Sequence, residues 1–148
     1  MATNPMIPQG VLNRVRPNIV FPSFPGLNVT APYMGRQMAR IEFEGSFVTK
    51  IPTGTGSVNS PEPFVFATVT VELLRTQALS SNWLAQIQDN SNIGSLTIHS
   101  DAAPFQPIAL ANVTANMLNP GPFDGSNPGV TLSLRGEFYV NNNLWTYA

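Results

Sequence analysis

The sequence predicts a mostly β, α+β domain: an antiparallel β-sandwich or rolled sheet flanked by one helix and preceded by an extended arm. Three observations predict it. Five segments alternate apolar and polar residues with period two, as half-buried strands do. One stretch carries an apolar stripe at helical spacing. Fourteen prolines and eleven glycines fall in blocks between these segments. A length of 148 residues suits a single domain with a real core.

The first block, residues 1–33, contains Pro5, Pro8, Pro17, Pro22, Pro25 and Pro32. Proline at this density blocks helix and central strand, so the segment reads as an extended arm that packs on the domain or on a neighbour. Within it, Asn18 to Phe21 reads as a short edge strand. The domain proper is residues 34–148. In Arg40 to Phe47, Ile41, Phe43 and Phe47 face one way and Glu42 and Glu44 the other. Ile51 to Pro63, with three prolines and two glycines, reads as a loop. Phe64 to Arg75 puts Val65, Ala67, Val69, Val71 and Leu73 on one face, and Phe66, Thr68, Thr70 and Glu72 on the other. These two strands form a long antiparallel hairpin with a projecting tip.

Leu79 to Asn90 reads as the helix. Leu79, Trp83 and Ile87 recur every four residues with Leu84 beside them, Ser80 or Ser81 caps the start, and Gly94 lies beyond the end. Ser95 to Ser100 is a strand with Leu96 and Ile98 alternating, and Ala102 to Pro107 a loop. Leu110 to Leu118 is a strand with Val113, Ala115 and Met117 on one face. Asn119 to Gly129 is a turn region. Val130, Leu132, Leu134, Gly136, Phe138 and Val140 alternate with Thr131, Ser133, Arg135, Glu137 and Tyr139 in the last strand.

Only 10% of residues are charged, where about 25% is usual. So little charge points to a surface covered by copies of the chain or by a partner. A monomer solubilised by Asn, Ser, Thr and Gln is the plainer alternative. A net charge of −1 argues against a basic nucleic-acid surface. With no cysteine there is neither a disulfide nor thiolate chemistry. Met1 to Gly10 lacks the apolar run of a signal peptide, and no apolar stretch is long enough for a membrane span, so neither export nor a membrane is expected.

No catalytic or metal set is expected. His99 is the only histidine, and one histidine without cysteine cannot make the usual zinc site. Thr97 and Asp101 share its strand face but stand about 7 Å away per step, beyond proton-transfer reach. Thr53-Gly-Thr-Gly-Ser57 resembles part of a phosphate loop, but no Lys follows and the next element is a strand, so a hairpin tip is the better reading. The sequons at Asn28 and Asn112 carry no weight without a secretory signal. Glu42 and Glu44, about 7 Å apart on one face, fit an acid–base pair, a cation site, a solvated face or the charged wall of a channel. With Glu72 and Glu137 on the same face, the sheet would be acidic. The strands carry few edge-protecting charges, a feature that a polymerising protein exploits.

Several segments resemble tail tube proteins of contractile-tailed bacteriophages: Val11 to Arg16, Leu27 to Tyr33, Ile51 to Pro63, Val71 to Leu79 with the following helix, and Arg135 to Trp145. The resemblance covers most of the chain in order and texture. It implies subunits in homohexameric rings, inner strands closing one barrel, and rings stacked into a tube inside a sheath. DNA would pass only transiently through the lumen. Glu42, Glu44, Thr68, Thr70 and Glu72 would then line the lumen. Thr53, Gly54, Thr55, Gly56, Ser57, Val58 and Asn59 would form an inter-ring loop. The implied partners are the chain itself, the tail sheath protein, and the baseplate and tail terminator proteins, with no cofactor. The implied location is the virion, after assembly in the host cytoplasm. Two other readings remain open: a tube-like adaptor at the baseplate or neck, and a carbohydrate-binding β-sandwich module using Trp145 and Tyr147.

Overall fold

The computed structural model describes residues 6–12, 17–102 and 104–147. Its strands are β1 (Asn18–Val20), β2 (Val29–Thr30), β3 (Met34–Phe43), β4 (Val48–Pro52), β5 (Ser57–Pro61), β6 (Phe64–Leu74), β7 (Asn92–His99), β8 (Ile108–Asn119) and β9 (Gly129–Tyr139), with α1 (Ala78–Asp89) between β6 and β7. The fold is mostly β with one flanking helix among the described residues. Seven strands form one antiparallel sheet in the order β2-β1-β7-β8-β9-β6-β3, and β4 and β5 form a separate two-stranded ribbon.

The sheet must curl. β2 and β3 lie at its opposite edges, yet only the 3-10 turn Ala31–Tyr33 joins them. A chain covers at most about 3.6 Å per residue, so Thr30 and Met34 lie within about 14 Å. Six strand spacings of about 4.8 Å would put flat edges roughly 29 Å apart. Rolling resolves the conflict and gathers the inward side chains of every main strand into one cluster, among them Ile19, Val69, Val71, Leu96, Leu110, Val113, Leu132 and Leu134.

β6 and β9 follow the expected alternation. Val65, Ala67, Val69, Val71 and Leu73 are buried, as are Val130, Leu132, Leu134 and Gly136. The two strands pair without a break from Phe64↔Tyr139 to Leu74↔Gly129. Gly136 is required by a close approach: a Cβ there would stand 2.7 Å from Val113 Cγ2 and 3.1 Å from Leu110 Cβ.

The helix starts one residue earlier than expected. Gln77 is its N-cap, and neither Ser80 nor Ser81 caps it: Ser80 Oγ donates to the Gln77 carbonyl, the reverse of a capping bond. Leu79 and Trp83 are buried, Ile87 packs on the core, and Leu84 is exposed. Trp83 meets Phe21, the residue after β1, edge to face at 5.0 Å, which ties the helix to the end of that strand.

Other expectations need correction. β1 is internal, paired with both β2 and β7, because Ile19, Phe21, Leu27 and Val29 are apolar enough to join the core. Residues from Asn18 onward, assigned to the arm, therefore help build the domain. The Ile51–Pro63 loop is mostly the β4–β5 ribbon, with a turn only at residues 53–56. Its prolines fall at the ends of the pairing, where a missing N–H is tolerated. β3 stops at Phe43, so Phe47 lies outside it and meets Phe43 edge to face at 5.7 Å. In β8 the alternation breaks at two irregularities, one around Asn112 at φ +52° and one between Ala115 and Met117. The bulges turn Leu110, Val113 and Ala115 inward, leave Met117 exposed, and let Leu118 pack on the core. A matching bulge at Gly94, φ +94°, lets both Ile93 and Leu96 of β7 point inward.

Candidate functional site

Two features stand out: the outer face of β3, β6 and β9, and the β4–β5 ribbon. The strand register assembles the first. Glu42 lies opposite Thr68, which lies opposite Arg135. On the next rung, Arg40, Thr70 and Ser133 align, and beyond them Glu72 opposes Thr131. Glu137 opposes Phe66. The polar faces of the three strands therefore coincide, and Glu42, Glu44, Thr68, Thr70 and Glu72 share one surface.

That surface is not simply acidic. Arg135 donates to Glu44 Oε2 through Nε at 3.1 Å and Nη2 at 2.6 Å, while Thr68 Oγ1 donates to Glu44 Oε1 at 3.0 Å. The Arg135 guanidinium, then the Thr68 hydroxyl, hold the Glu44 carboxyl below its ordinary range. Arg135 also stacks over Phe66, 4.2 Å from the ring centre. Arg40 Nε stands 3.9 Å from Glu42 Oε1, with both side chains about two-thirds exposed, a weak pair.

Glu72 serves the fold. Its carboxylate accepts the Gln37 backbone N–H at 3.0 Å and lies against Gly35 and Gly129, where any Cβ would collide with it. It pins the irregular start of β3, where Met38 sits at φ +54°. The sequence placed Glu72 on the correct face, but nothing local marked its partner 35 residues away.

Every residue of β4 and β5 is exposed. At the tip, the Thr53 N–H donates to the Gly56 carbonyl at 2.8 Å, and the Gly56 N–H to Thr53 Oγ1 at 3.1 Å. These bonds close the turn directly into strand β5, whereas a phosphate loop opens a helix. Gly54, Thr55, Ser57, Val58 and Asn59 all lie on this exposed ribbon, and Lys50 Nζ donates to Asn59 Oδ1 at 3.0 Å. Ile51 and Val58 pair on one face and stay about half exposed. A lone two-stranded ribbon is marginal in water, so its base must be held. Asn141, at φ +56°, holds it: Nδ2 donates to the Phe47 carbonyl at 3.0 Å and the Glu62 carbonyl at 2.8 Å. Asn141 escaped the sequence reading because its partners lie 94 and 79 residues away.

The remaining candidates are quickly placed. His99 ends β7 opposite Asn18, and among the described residues no hydrogen bond joins it to Thr97 or Asp101. No group of three or more His, Cys, Asp or Glu among the described residues could hold a metal ion. No described helix is long and apolar enough to cross a membrane. The side chains of Trp145 and Tyr147, like residues 13–16, lie outside the described part. No protein-family model and no curated protein matches this chain.

Proposed function

We propose that this chain is a structural virion protein: the subunit of a phage tail tube, built from stacked hexameric rings and conducting DNA during ejection. The observation that carries the reading is the β4–β5 ribbon. It is clasped at its base by Asn141, has every residue exposed, and presents the apolar pair Ile51 and Val58. Such a ribbon gains stability by lying against another molecule. Two further features support it. β3 is a ten-residue edge strand with no partner strand on its outer side among the described residues, a template for pairing with a neighbouring copy. The outer face of β3, β6 and β9 pairs Arg135 with Glu44 and sets Arg40 beside Glu42, so much of its positive charge is already matched by carboxylates and offers little to hold phosphate.

In this reading Glu42, Glu44, Thr68 and Thr70 line the lumen, and the ribbon tip meets the adjacent ring. The sheath, baseplate and terminator proteins of the tail are the other partners. Negative-stain microscopy of the purified protein tests the reading. Rings or tubes with a central hole are expected, and a stable monomer overturns it. If the particles instead hold the protein in only one or two rings, it is the tube-like adaptor.

A further inference from the structure

The curled sheet leaves a seam between β3 and the β1, β7 and β8 side, and a groove of about 200 Å³ opens there. Ile19, Met34, Ile41, Ile98, Phe105 and Ile108 line it. Arg40, His99 and Asp101 stand among the polar residues around it. Small-molecule sites usually occupy about 300–1,000 Å³, so this groove suits a short run of aliphatic side chains better than a ligand. It runs beside β3, whose outer edge has no partner strand among the described residues.

The same chain carries a segment of matching character. Ile7, Val11 and Leu12 are 79%, 93% and 70% exposed, and residues 6–12 contain no charged side chain. Pro8 and Gly10 disfavour helix, which suits an extended docked segment. The segment is tethered close to the groove, since Pro17 is in the groove wall. A short tether gives a high effective concentration, so a productive seat within the same chain would already be taken. Yet Ile7, Val11 and Leu12 remain in solvent.

We infer that the segment Ile7–Leu12 of one copy seats its aliphatic side chains in the seam groove of a second copy. Each contact is heterologous, arm into groove, and therefore propagates from copy to copy. The inference rests on the self-association in the proposed function but not on the tube geometry.

The absence of cysteine makes the test clean. Val11→Cys and Ala39→Cys are prepared as separate full-length proteins, Ala39 also being a groove residue. They are mixed under mild oxidation, and disulfides are mapped by peptide mass spectrometry. A bond from position 11 to position 39 between chains is expected. Adding Ile7→Ser and Leu12→Ser to the Val11→Cys protein should cut its yield by more than about tenfold, since two buried aliphatic side chains are lost. These side chains are solvent-exposed, so the domain stays folded. No 11–39 bond between the mixed chains, or a bond that a third protein carrying both cysteines forms only within one chain, overturns the inference. Microscopy of the same samples separates the two proposals. Tubes without the 11–39 bond sink only the arm–groove contact, and the bond without rings or tubes sinks only the tube.

Discussion

The side-chain amide of Asn141 bridges the carbonyls of Phe47 and Glu62, at 3.0 and 2.8 Å, and so clasps the two ends of the projecting ribbon. Asn141→Gly keeps the positive φ but removes both bonds. At about 0.5–1.5 kcal/mol per hydrogen bond, a loss of about 1–3 kcal/mol is expected in urea unfolding. Asn141→Ala adds left-handed strain of about 1–2 kcal/mol. Hydrogen exchange of the Ile51 and Val58 amides, which form a hydrogen-bonded pair of the ribbon, should accelerate in both variants. Unchanged exchange would mean the ribbon holds itself.

The Glu44–Arg135 pair gives a pH dependence of known sign. Glu44 has its folded pKa lowered, chiefly by Arg135 and then by Thr68. Its contribution is present above the ordinary carboxylate range and is lost as pH falls through the lowered folded value. Melting temperatures of the native protein and Glu44→Gln should differ at neutral pH and converge in acid. A gap that persists in acid would assign the effect to packing on Thr68 and Phe66 instead of charge. The pair is solvent-accessible, so added salt should also narrow the gap.

Gly136→Ala should destabilise by about 1–3 kcal/mol, the usual cost of overpacking. The new methyl meets Val113 Cγ2 at 2.7 Å and the Ala111 carbonyl oxygen at 3.2 Å, so β8 must move off β9. Adding Val113→Ala should recover part of the loss, which a double-mutant cycle in denaturant measures.

Trp83 is wholly buried, and its indole Nε1 finds no hydrogen-bond partner among the described residues. Trp83→Phe removes an unpaired donor along with some packing. These opposing effects predict a loss of about 1–2 kcal/mol, below the 3–5 kcal/mol of a Trp→Ala truncation. A loss as large as the truncation would show that the N–H is satisfied, for instance by water.

Replacing residues 49–60 with an Asn-Gly turn should leave the domain folded, since every residue removed is exposed. Circular dichroism should be near native while long tubes disappear from micrographs. Tubes of ordinary length would exclude the ribbon from stacking.

Period two alone was enough to read β6 and β9 and to put Glu72 and Arg135 on the correct faces. The alternation failed in β8, where Met117 was expected inside and Leu118 is instead, because a bulge is a backbone event that side-chain pattern does not encode. Pro52 and Pro61 hid the ribbon by suggesting a loop, although both occupy strand ends. The Glu44–Arg135 bond depends on register between strands 91 residues apart. Parity could place each residue on a face, but only the β3–β6 and β6–β9 registers together bring them side by side. The core role of Ile19 and Phe21 was masked by surrounding prolines, which mark a short strand as readily as an arm.

The β6–β9 pairing also sets a timetable. β6 must be completed to Leu74, but its partner begins at Gly129, near the end of the chain. At roughly 5–20 residues per second, a ribosome exposes β6 seconds before β9 exists. During that interval Val65, Val69, Val71 and Leu73 have only the β3 side of their strand to pair with, and the β9 contacts they await are distant ones that form slowly. The half-synthesised chain, more than the finished subunit, carries the aggregation hazard, so slower growth at low temperature should raise the soluble yield.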